Sequence, residues 1–123
     1  MTPSWDRIVE IVLASLSFEE SKASVVYLDE REFSAETAIE IDGAEVCMPW
    51  LFMIAFVDLQ PTANWGHACR YLFVNPETGD VQQMSARFPP FLRGLPQTLR
   101  VIWKGDDVPD WAVAHAPPAK GEI

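Results

Sequence analysis

His67 and Cys69 stand two residues apart, and on an extended segment that spacing directs both side chains to one face. With Cys47 approaching from a neighbouring strand, the three would offer soft ligands to zinc. A structural zinc site takes four ligands, usually from paired Cys-x₂₋₄-Cys elements, and the other histidine, His115, falls in the terminal stretch. No metal is therefore expected. The same residues could supply a thiol nucleophile, Cys69 or Cys47, activated by His67 and oriented by Asp58 or Asn64. Residues this close on one strand face rarely reach the in-line hydrogen bond that lowers a thiol pKa, and neither a strand-to-helix elbow nor a glycine-rich oxyanion loop accompanies them. The expectation is that the cysteines act as small core hydrophobes, with His67 hydrogen-bonded in its loop. A Cys47–Cys69 disulfide depends on strand register and on an oxidising compartment, and stays open.

Paired carboxylates add little chemistry. Glu19-Glu20, Asp29-Glu30 and Asp106-Asp107 sit in stretches that read as solvated, with no apolar flank to raise a pKa. No phosphate-binding loop, dinucleotide fingerprint or His-Glu-x-x-His is present, so no cofactor is expected.

The elements that must position these residues begin with a helix. Trp5, Ile8, Val9, Val12, Leu13 and Leu16 share one stripe at three- and four-residue spacing, with Thr2 or Ser4 as cap and Pro3 suited to the first turn. Val25 to Leu28 is β-prone in surroundings that would also allow a helical turn, and is taken as a strand. Ala38 to Ile41 alternates apolar and charged residues into Asp42-Gly43, the pair that a tight hairpin favours because both central positions need positive φ, and Ala44 to Met48 returns. Pro49 removes an amide donor and marks a bulge, an edge or a break. Trp50 to Leu59, nearly all apolar, fits a central strand covered on both faces. Cys69 to Val74 and Val81 to Phe88 flank a turn at Asn75 to Asp80, in which Pro76 presets φ and Gly79 takes the left-handed position. A last strand is predicted at Leu99 to Trp103.

This gives an α+β fold: an N-terminal helix packed on a curved antiparallel sheet, a meander of about five to six strands. One domain spans residues 1–110, and residues 111–123 are expected to be a frayed tail. Chain length and a hydrophobic content of 49% supply material for a single core.

The formal net charge of −9 is unevenly distributed. Residues 1–60 hold twelve acids against Arg7, Lys22 and Arg31, whereas residues 61–123 hold six of each sign. Such a field repels nucleic acid and favours a basic partner surface. The run Met48 to Val57 is free of charge for ten residues, roughly half of what a membrane span needs. Ile8 to Leu16 could pass for a signal h-region, but Glu10 interrupts it and only Arg7 supplies a preceding positive charge. Two cysteines are far from a disulfide scaffold. A cytoplasmic protein with no membrane contact is the expectation.

The segment Tyr71-Leu72-Phe73-Val74-Asn75-Pro76-Glu77-Thr78-Gly79-Asp80-Val81 resembles the V-D-x-x-T-G-x-V hairpin of PepSY-type domains and of small bacterial immunity domains. The likeness spans Trp50 to Pro90, and Asn75 stands where those families often carry Asp. It implies a binding or inhibitory module and not an enzyme.

A recognition element is expected in the loop Asn64-Trp65-Gly66-His67, bounded by Pro61 and flanked by Arg70, Arg87, Phe88 and Phe91, because tryptophan and arginine dominate interface energetics. The alternative is that Trp65 folds back as a lid over the core. Two functional classes follow. One is a protein-binding or immunity-type inhibitory module that docks a basic partner through its acidic N-terminal half, Glu30 and Glu32 included, or through Trp65, His67 and Arg70. The other is a small hydrolase or ligand-binding protein using His67 and Cys69. Pairing of two sheets in a homodimer is a further option.

Overall fold

The computed structural model describes residues 4–63, 67–88 and 97–113. Helix α1, Trp5–Leu13, starts where the Ser4 hydroxyl accepts a hydrogen bond from the Arg7 amide. Its stripe buries Ile8 and Val12. Helix α2, Phe18–Ala23, opens with a capping box: Ser17 Oγ accepts from the Glu20 amide and Glu20 Oε1 from the Ser17 amide. The Ser17-x-x-Glu20 signature of this helix was present in the sequence.

Among the described residues seven strands follow: β1 Val25–Asp29, β2 Ile39–Ile41, β3 Ala44–Val46, β4 Met53–Asp58, β5 Cys69–Val74, β6 Val81–Ala86 and β7 Leu99–Lys104. Five of them form one antiparallel sheet in the order β6-β5-β4-β1-β7. The contiguous meander is β4–β5–β6. β1 extends it beyond β4, and β7 closes the far side with a register shift at Val26/Tyr27. The chain is an α+β protein.

Side-chain alternation divides the core into two layers. Val26, Leu28, Met53, Ala55, Val57, Leu72 and Val74 face α1 and meet Ile8 and Val12. Val25, Tyr27, Phe56, Cys69, Tyr71 and Phe73 face the opposite way, where Phe52, Ile41, Met48 and Val108 cover them. β4, third of five strands, is covered on both sides as its unbroken apolar run requires.

The β2–β3 hairpin forms the lid of this second layer. Asp42 (φ 51°) and Gly43 (φ 81°) adopt the two positive φ values of the tight turn. The hairpin does not extend the meander; it is a separate two-stranded sheet. Pro49 and the irregular residues after it uncouple β3 from β4, and Ile39, Ile41 and Val46 pack onto the face of the main sheet. Its tip is pinned where the Arg87 amide donates to Asp42 Oδ2 at 2.9 Å. Its base is held where the Glu36 amide donates to the Met48 carbonyl at 2.8 Å. The β5–β6 turn matches its expectation: Asn75 Oδ1 accepts from the Glu77 and Thr78 amides, and Gly79 has φ 83°.

Packing continues past residue 110, where the 3₁₀ turn Asp110–Ala112 brings Ala112 and Val113 against the second layer. Among the described residues, no helix is long and apolar enough to cross a membrane.

Candidate functional site

Asp58 ends β4 and lies directly across from Cys69, the first residue of β5. His67, two residues before Cys69, places Nε2 at 2.8 Å from Asp58 Oδ1, and both side chains are less than a tenth exposed. The His67 amide donates to the Arg87 carbonyl at 2.7 Å, which anchors the backbone before β5 begins. His67 is thus hydrogen-bonded as the sequence indicated, and its partner is a carboxylate nine residues away. Burial raises the Asp58 carboxyl above its ordinary range, against the opposing charge and hydrogen bond of His67 and the Gln60 amide.

Cys69 does not have the electrostatics of a nucleophile. Burial, reinforced by the negative charges of Asp42 and Asp58, pushes its thiol up to about 12. Cys47 is exposed, and its thiol donates to Glu36 Oε2 at 3.8 Å. Both cysteines are free, so the optional disulfide is not formed. Among the described residues, no three His, Cys, Asp or Glu side chains converge as a metal site would require. In the native protein, a chromogenic aromatic disulfide at pH 7.5 is expected to titrate Cys47 within minutes and to reach Cys69 only on denaturation. Two fast thiols would show that Cys69 is open to chemistry.

Arg70, expected to flank the Trp65 loop, lies on the sheet face opposite to Cys69 and Tyr71, and residues 64–66 of that loop are outside the described residues. Strand alternation sets Arg70 on the helix face, where its guanidinium grips Glu20 through Nη1–Oε2 at 2.9 Å and Nη2–Oε1 at 3.1 Å. The Arg70 hydrogen bonds, followed by the Ser17 amide, hold the Glu20 carboxyl below its usual range. Glu20 is thus a cap and an ion-pair partner, and reading it as solvated surface is corrected.

Asp29 is corrected as well: the last residue of β1 is 4% exposed. Burial alone would raise its carboxyl. The Arg31 side chain and amide, with Thr98 and the Arg31 charge, outweigh that and hold it below the normal range. Arg31 Nη2 lies 2.7 Å from Asp29 Oδ2, and its guanidinium stacks over the Phe33 ring at 5.1 Å.

Beside this pair, between the hairpin and the main sheet, is a cavity of about 220 Å³. Ile39 and Ile41 from β2, Ile54 and Phe56 from β4, and Phe33 form its apolar walls, while Asp29, Arg31 and Glu40 border it. The cavity was not legible in the sequence, because it arises from the way the hairpin seats on the sheet.

Of the remaining expected contact residues, Glu30 is exposed and ion-paired to Arg100 at 2.7 Å, and Glu32 is exposed. Trp65 lies outside the described residues, as do Asn64, Gly66 and Phe91. The described site residues therefore separate into a buried Asp58–His67 pair at one end of the sheet, an Arg70–Glu20 pair on the helix side, and the acidic hairpin layer with its cavity. Comparisons with protein-family models, with curated proteins and with solved structures find no match.

Proposed function

We propose that this protein is a non-catalytic binding module that docks a basic protein partner through the hairpin layer. One observation carries the reading: between Glu30 and Glu45, the acids Glu32, Glu36, Glu40 and Glu45 are all exposed and, among the described residues, form no ion pair. The single base in that stretch, Arg31, is held by Asp29. Glu40 and Glu45 also lie directly opposite each other across the hairpin. Like charges in that position are destabilising, and a cation seated beside them relieves the repulsion. An inhibitor that masks a basic surface, as the immunity-type resemblance implies, is the specific form this takes. The raised thiol of Cys69 speaks against the alternative of a cysteine-dependent hydrolase.

A fluorescently labelled decalysine peptide at low ionic strength provides the test. Glu32→Lys, Glu40→Lys and Glu45→Lys combined should weaken binding by roughly tenfold or more, with added salt erasing the difference. The triple variant Asp6→Lys, Glu19→Lys and Glu77→Lys, which changes net charge equally at exposed positions outside the hairpin layer, should cost about twofold or less. Equal losses in the two variants would reduce the effect to overall charge and overturn the assignment of the surface.

A further inference from the structure

We infer that the cavity under the β2–β3 hairpin is the specificity pocket of this docking surface, and that it takes an aromatic side chain flanked by lysine or arginine on the basic partner. The inference rests on the docking surface proposed above and adds what that surface selects.

Size decides the class of occupant. Ligand pockets for drug-sized molecules run from about 300 to 1,000 Å³, whereas an apolar cavity of about 150 Å³ holds one benzene. At about 220 Å³, this cavity admits a single ring and a short stem and is too small for a nucleotide or a large cofactor. The walls agree: Ile39, Ile41 and Ile54 offer branched methyl surfaces, and Phe33 and Phe56 offer rings for offset or edge contacts.

Charge decides what flanks the ring. Asp29 and Arg31 at the border neutralise each other through the contact at 2.7 Å. Glu40 borders the cavity as well and is set against Glu45 across the hairpin, so the surroundings are net negative where a neighbouring side chain of the partner would lie. A cationic neighbour is favoured there and an anionic one repelled.

Capped tripeptides test the inference, with the Ile39, Ile41 and Ile54 methyl resonances as the readout. Lys-Phe-Lys is expected to move these methyls by ring-current shifts and to bind about tenfold or more tightly than Lys-Ala-Lys, since the ring is buried in one case and absent in the other. Glu-Phe-Glu should produce no shift at the same concentration. Glu40→Lys with Glu45→Lys, both exposed and compatible with the fold, should abolish the preference for Lys-Phe-Lys over Glu-Phe-Glu. Equal binding of Lys-Phe-Lys and Lys-Ala-Lys, with shifts confined to residues near the acids, would overturn the pocket and leave the docking surface standing. Ring entry that ignores flanking charge would overturn the cationic occupant. If no tripeptide binds, this inference fails, while the decalysine comparison still decides the docking surface independently.

Discussion

Gly105→Ala is expected to lower stability by at least about 2–3 kcal/mol, seen as a large drop in the urea midpoint with the slope unchanged. Gly105 follows β7 and crosses close to the end of α2. A Cβ at this position would fall on the backbone of Lys22 and Ala23, meeting the Lys22 carbonyl carbon and oxygen and the Ala23 nitrogen. None of these atoms belongs to a side chain that could swing aside. The crossing is also stitched by hydrogen bonds: the Gly105 amide donates to the Ser24 carbonyl at 2.9 Å, and the Asp107 amide to the Lys22 carbonyl at 2.9 Å. Any shift that makes room for a methyl therefore strains the α2–β1 junction. The Trp103 indole, which donates to the Ser21 carbonyl at 2.6 Å, would report that strain as a change in native-state fluorescence. Gly43→Ala separates the contributions. Its φ is 81° and nothing lies within 4 Å of an added Cβ, so it should cost only the left-handed backbone penalty, of order 1–2 kcal/mol. A Gly105→Ala midpoint equal to that of the wild type would mean that the two segments are not in contact.

The main elements were legible because each carries a local signal strong enough to survive tertiary context. The stripe from Trp5 to Leu16 and the Ser4 cap mark α1, and Asp42-Gly43 marks the tight turn. Asn75 to Gly79 marks the β5–β6 turn, and the apolar run after Pro49 marks a central strand. Spatial order was not legible. That β1 sits between β4 and β7 depends on pairings across distant parts of the chain, for which periodicity carries no information. The hairpin's departure from the main sheet is of the same kind, since alternation at Ile39 and Ile41 is equally compatible with sitting beside the meander or on top of it.

The candidate site divides along the same line. Cys69 and His67 share a face by spacing alone, with Asp58 or Asn64 open as the group that orients the imidazole; what spacing does not carry is the register that sets Asp58 across from Cys69 and 2.8 Å from His67 Nε2. Arg70 was assigned to the loop by proximity in sequence, although its position between Cys69 and Tyr71 already required it to face away from them. Asp29 and Glu20 read as surface because each is one of an adjacent pair of acids, with Glu30 and Glu19, although Asp29 directly follows the apolar run Val25 to Leu28. Arg31 offsets the burial of Asp29, and Arg70 the partial burial of Glu20. Arg31 is two residues from its acid and would have been found by testing short Asp-x-Arg spacings. Arg70 is fifty residues from Glu20 and would not.

Phe52→Ala is expected to cost about 3–5 kcal/mol, a large share of the stability of about 5–15 kcal/mol that a domain of this size commands. Phe52 is fully buried immediately before β4. Its ring stacks on Phe33 with centroids 5.4 Å apart and meets Phe73 edge-on at 6.0 Å. Its backbone exchanges two hydrogen bonds with Phe33, at 2.8 and 2.9 Å, forming an isolated bridge. The ring therefore does two things: it fills the second core layer, and it clamps to the sheet the segment that leads into β2. Truncation should produce two separable signals. The urea midpoint falls, and amide exchange in residues 33–48 accelerates more than exchange in β4 and β5, because the hairpin layer loses its anchor while the sheet keeps its ladders. Phe52→Leu retains most of the apolar volume and should recover more than half of the lost stability. If Phe52→Ala accelerated exchange uniformly across the chain, the hairpin and the sheet would be one cooperative unit, and the idea of a lid that seats separately on a finished sheet would have to be abandoned.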